Sequence, residues 1–127
     1  MGEINMSYKT VYKDFIKLFP DDLHYFKEME KENDVDEETP YYLFGMVVCP
    51  FLHKVVEEDE EKARLAFDFI EQMNSNEDDE IVNLAVVGIL EIILTDENGG
   101  LSKFKKYFGP NTLKYAHRVS QFFDIKP

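Results

Sequence analysis

The side chains able to do chemistry are few: three histidines, one cysteine and two runs of acids in a chain of 127 residues. His24, His53 and His117 are each able in principle to ligate a metal or move a proton near neutral pH. No His-Glu-x-x-His or comparable signature surrounds them, so neither a metal nor a catalytic role is expected. Cys49 lies in an apolar stretch just before Pro50, where a thiol behaves as a small hydrophobe and its pKa rises. Asp96, Asn98 and Gly100 open like a calcium loop, but Leu101 and Tyr107 fall where that loop needs its glycine and its last acid. Phosphate-cradling glycine loops and nucleophile elbows are absent from the sequence. A small metal-dependent hydrolase would have to be built from helical carboxylates such as Glu71, Glu80 or Glu91, and exposed acids on helix faces are mostly solvated surface. The expectation is a non-enzyme with no cofactor and no metal.

The acids are more informative. Glu57, Glu58, Asp59, Glu60 and Glu61 form one run, and Glu77, Asp78, Asp79 and Glu80 a second. Each precedes an apolar helical pattern, and carboxylates in a first helical turn are favoured by the helix dipole. Dipoles account for several of them but not for unbroken runs, because packed like charges repel. The nine residues are therefore the candidate partner-binding surface, suited to a basic protein. With 14 cations against 26 acids the net charge is -12, which excludes phosphate backbones and anionic lipid surfaces as partners. The charge is also uneven: residues 32–97 carry three cations and nineteen acids, residues 98–127 six cations and one acid. The basic C-terminal segment could thus fold back and neutralise the acidic middle. A single cysteine fits a reducing compartment. No secretory signal is evident, and the apolar stretches fall short of a membrane span. A cytoplasmic protein is expected.

The elements that must position these residues are helical. With 44% hydrophobic residues, eleven Phe and seven Tyr, the chain can close one core, and no stretch alternates with the period of a strand. Residues 1–127 are expected to form a single all-α domain, a helical bundle or short α-hairpin array of about six to seven helices, with residues 1–6 frayed. A first helix runs from an N-cap at Ser7 to a break at Pro20, and a second from Leu23 to near Asn33. The segment 32–39 is a loop, and Thr39 caps a third helix that starts with Pro40. Pro50 predicts a kink or break between Val48 and Phe51 within it. The fourth helix stops near Asn74, the fifth spans Ile81 to Leu94, and Gly88 inside it predicts close approach by a neighbour. Asn98, Gly99 and Gly100 end it. After a short helix and a Gly109-Pro110 turn, the last helix presents Leu113, Ala116, Val119, Phe122 and Phe123 inward.

The run Val86, Val87, Gly88, Ile89, Leu90, Glu91, Ile92, Ile93, followed by Phe108, Gly109, Pro110, Asn111, Thr112 and Tyr115, resembles a family of small helical bacterial proteins of unknown function. Some of these are encoded beside polymorphic toxins and taken to be immunity proteins. The similarity spans residues 40–123, and Pro50 has no counterpart in its pattern. The resemblance implies an immunity or antitoxin-like protein that masks a basic toxin, and it carries no catalytic residues. The alternative is a structural homo-oligomer anchored by Tyr41, Tyr42 and Phe44 or by Phe122 and Phe123.

Overall fold

The fold is that of a computed structural model, which describes residues 6–35 and 40–124. The Thr39 cap, residues 36–39 of the expected 32–39 loop and residues 1–5 of the expected frayed start lie outside the described residues, while Glu32 and Asn33 belong to a helix. All regular elements among the described residues are helical, and no helix among them is long and apolar enough to cross a membrane.

Chain order is α1 (Val11–Ile16), a 3-10 turn (Pro20–Asp22), α2 (Leu23–Asn33), α3 (Pro40–Leu43), α4 (Cys49–Glu58), α5 (Glu60–Asn74), α6 (Asp79–Ala85), α7 (Glu91–Thr95), α8 (Leu101–Phe104) and α9 (Pro110–Phe122). The first helix is shorter than its apolar spacing predicts. Ser7 Oγ accepts from the Lys9 amide and its carbonyl from the Thr10 amide, so it caps a turn and the α-helix starts only at Val11.

Two π-turns join helices into longer rods: Phe44–Val48 links α3 to α4, and Val86–Leu90 links α6 to α7. The expected kink or break at Pro50 takes the form of a switch from π to α hydrogen bonding between Val48 and Cys49, with no gap in the helix. Pro50 has no N–H to offer the Met46 carbonyl, and the chain absorbs the mismatch one turn earlier. There the Cys49 amide reaches back five residues to the Phe44 carbonyl and the rod continues.

The two rods lie side by side and run parallel, as three rungs show. Asn83 Nδ2 donates to Tyr41 Oη at 2.6 Å, the Cys49 thiol donates to the Gly88 carbonyl at 3.5 Å, and His53 Nε2 sits 3.2 Å from Asp96 Oδ2. Gly88 is where they approach: a Cβ there would stand 3.6 Å from Tyr41 Cδ1 and 3.8 Å from Phe44 Cβ on the other rod. Helix α5 returns antiparallel between the end of one rod and the start of the other, packing on both. The rods thus define two poles, one where α3 and α6 begin and one where α4 and α7 end.

Two aromatic clusters hold this frame. Phe15 meets the rings of Phe19, Phe26, Phe44, Phe51 and Phe69 at 5.3 to 6.4 Å, mostly edge to face. Phe67 on α5 meets Phe104, Tyr107 and Phe108 and so docks the α8 segment. Phe44 is wholly buried and is core, not an interface anchor. The inner face of α9 is Thr112, Ala116, Val119 and Ser120. Phe122 and Phe123 are 82% and 44% exposed, which corrects the inward placement expected of them: α9 ends at Phe122, beyond the core it covers.

Candidate functional site

The two acidic runs are set at opposite poles by α5, whose 15 residues span about 22 Å. They do not form one surface. At the pole where α4 ends, most of the first run is engaged within the chain. Glu57 Oε2 accepts from Lys103 Nζ at 2.7 Å, and that ammonium holds the Glu57 carboxyl below its usual range. Glu58 lies 3.9 Å from Lys54. Asp59 accepts from the Lys62 amide and caps α5, and Glu60 pairs with Arg64 at 2.9 Å. Asp59 and Glu61 make no ion pair among the described residues, and Asp59 is used as the cap. The basic C-terminal segment supplies one of these pairs, through Lys103, and the other two cations, Lys54 and Arg64, come from the acidic middle itself.

The second run is different. Asp78 caps α6, accepting from the Glu80 amide at 2.9 Å, while Glu77, Asp79 and Glu80 are exposed and pair with no cation among the described residues. Tyr8 and Tyr41 stand beside them. Burial, and then the proximity of Tyr41 and Glu80, raise the Tyr8 hydroxyl above its ordinary pKa. Tyr42, on the same first turn of α3 as Tyr41, is 58% exposed. This pole combines unpaired carboxylates with tyrosines, a residue type enriched at interfaces.

At the opposite pole, α4, α7 and α8 enclose a cleft of 630 Å³ lined by Gly45, Cys49, Pro50, His53, Ile92 and Asp96, with Glu57, Asn98 and Lys103 at its rim. Lys103 Nζ lies within 2.9 Å of His53 Nδ1, 2.7 Å of Glu57 Oε2 and 3.1 Å of the Asn98 carbonyl. An ammonium can only donate, so Nδ1 accepts and the ring proton sits on Nε2. Nε2 is buried and makes no aligned hydrogen bond, although Asp96 Oδ2 is 3.2 Å away. Burial and then Lys103 push the His53 pKa down, and Asp96 and Glu57 oppose them without prevailing. Burial raises the Cys49 pKa, with a smaller contribution from Asp96, so the thiol is no nucleophile. His24 and His117 are exposed and stand apart.

Sequence spacing misses this cluster because its two halves, His53 with Glu57 and Asp96 with Lys103, are 39 to 50 positions apart and meet only when the two rods pair. The hydrolase carboxylates also do not meet. Glu80 and Glu91 sit on one continuous rod about 16 Å apart. Glu71 is consumed by α9: its carboxylate accepts from the amides of Asn111 and Thr112, from Asn111 Nδ2 and from Thr112 Oγ1, all within 3.1 Å. Among the described residues no group of three His, Cys, Asp or Glu could hold a metal ion.

A family model described as a domain of unknown function, DUF7674, matches residues 12–124. No curated protein and no solved structure matches the chain.

Proposed function

The chain belongs to the DUF7674 family, and we propose that it is a binding protein whose acidic pole at the start of α6 docks a basic protein partner. The observation that carries this is the set of Glu77, Asp79 and Glu80, exposed and without a cation partner among the described residues, with Glu80 close to Tyr8 and Tyr41, in a chain of net charge -12. Cation-free carboxylates speed the approach of a positive surface, and neighbouring tyrosines supply contact area once it arrives. The first run contributes less, because Lys103, Lys54 and Arg64 already occupy it. The resemblance to immunity proteins supports the finer reading, an inhibitor that covers the cationic surface of a nuclease-like toxin in the cytoplasm. A partner is captured from the source organism, and its association rate is measured at two ionic strengths for the wild type and for E77Q/D79N/E80Q. A rate that falls with salt and with the triple substitution supports the proposal; a rate indifferent to both removes it.

Self-association is a second reading, favoured by one observation: Phe122 and Phe123 stack edge to face at 5.0 Å while exposed at the end of α9. A concentration-independent monomer in light scattering removes it.

A further inference from the structure

The cleft at the opposite pole has a donor and acceptor count that singles out one class of ligand. Its cation is spent: Lys103 carries three N–H bonds and has three acceptors around it, His53 Nδ1, Glu57 Oε2 and the Asn98 carbonyl. An anion entering the cleft would find no free ammonium proton and two rim carboxylates. Those carboxylates are not spent. Asp96 is 44% exposed; its Oδ2 lies 3.2 Å from His53 Nε2, and among the described residues it pairs with no lysine or arginine. Glu57 uses Oε2 for Lys103, and its other oxygen makes no hydrogen bond among the described residues. With a neutral imidazole, one ammonium and two carboxylates, the cleft carries one net negative charge. Its lining also includes an apolar stretch, Gly45, Pro50 and Ile92.

We infer that this cleft is a binding site for a single alkylguanidinium or primary alkylammonium group, anchored by Asp96, with Glu57 as a second acceptor and Ile92 and Pro50 against the alkyl stem. The volume of 630 Å³ is in the range of small-ligand sites, ample for a chain of four or five carbons with its head group. Asp96 and Glu57 are partly open to water, so their charge-assisted hydrogen bonds set the orientation of the head group and the apolar lining takes the stem. Gly45 keeps the recess open: a Cβ there would stand 3.0 Å from Ile92 Cδ1. The site lies at the pole away from Glu77–Glu80 and stands independently of partner docking there.

Two sources can supply the same group, a free diamine-like or guanidine metabolite and an arginine or lysine of a protein. Nuclear magnetic resonance of the full chain, following the His53 ring and the Ile92 methyl signals, is titrated with agmatine, with a capped arginine tripeptide and, at matched ionic strength, with tetramethylammonium, which has no N–H. The expected result is a saturable shift confined to His53, Ile92, Asp96 and Asn98 with the first two probes and none with the third. Asp96→Asn should raise the apparent Kd about tenfold, Glu57→Gln should weaken binding less, and E77Q/D79N/E80Q should leave it unchanged. Tighter binding of agmatine assigns the site to a free small cation, tighter binding of the tripeptide to a protein side chain. Equal shifts from tetramethylammonium, failure of both donors to saturate, or an Asp96→Asn protein that folds and binds like the wild type would overturn the inference.

Discussion

At the scale of single residues, Glu71 and His53 are both ionisable groups whose surroundings are set by helices far away in sequence. Burial alone would raise Glu71, but four donors from Asn111 and Thr112 outweigh it and hold its pKa below the ordinary 4.5. The carboxylate thus does from another helix what an N-cap side chain does locally. Glu71→Ala leaves those donors without a partner and should cost about 2 to 3 kcal/mol in urea unfolding at neutral pH. His53 is likewise held below its ordinary 6.5, by burial and then by Lys103. In both cases the folded chain takes up protons less readily than the unfolded one. The stability they support is therefore complete above about pH 6.5 and is lost on acidification, first as His53 is forced to charge and then, below about pH 4.5, as the Glu71 carboxylate is neutralised. Urea midpoints measured from pH 8 to 3 should fall in two stages. His53→Gln should flatten the upper stage alone, and Glu71→Gln the lower one. A single stage near pH 4 in the wild type would contradict the place assigned to His53.

Helix spacing made most elements legible, because the apolar periods of Phe26, of Ala63 to Met73 and of Ile81 to Leu94 report directly on which face is buried. The errors have local causes. Pro50 reads as a kink or break on the rule for a straight α-helix, and a π-turn that ends at Val48 lets the rod pass through it. Phe122 and Phe123 keep the period of α9 after the helix has run past its neighbours, and periodicity cannot sense where a neighbour ends. The cleft was illegible for a related reason: Asp96 and Lys103 lie beyond the glycine-rich end of α7 and reach His53 only through the pairing of rods. Gly109 is the instructive element-level case. Its φ of -75° is open to any residue, so the sequence reading of it as a turn glycine misses its use. A Cβ there would stand 2.6 to 2.7 Å from the Glu71 carboxyl, so Gly109 is the space through which α5 caps α9. Gly109→Ala should destabilise the fold by about 1 to 3 kcal/mol, and in a background of Glu71→Ala the same change should cost much less. Equal costs in the two backgrounds would show that the glycine serves some other contact.

For the whole molecule, the charge of -12 is divided between a pole that uses its acids and a pole that does not, and this division is what ties fold to function. Acids that cap or pair contribute to stability, and acids that only crowd one another weaken it through repulsion. Substituting the two runs should therefore move thermal stability in opposite directions. E57Q/D59A/E60Q removes the Lys103 and Arg64 partners and the cap of α5, and its Tm should fall by about 3 to 6 °C, mostly from the lost cap. E77Q/D79N/E80Q keeps Asp78 as the cap of α6 and relieves repulsion, so its Tm should hold or rise, the more so at low salt, where screening is weakest. If this second variant is the one that unfolds early, its carboxylates are serving the fold, and the case for a surface kept negative for a partner is lost. If it is as stable as the wild type or more so while association with the basic partner slows, the chain is retaining a charge its own structure does not need.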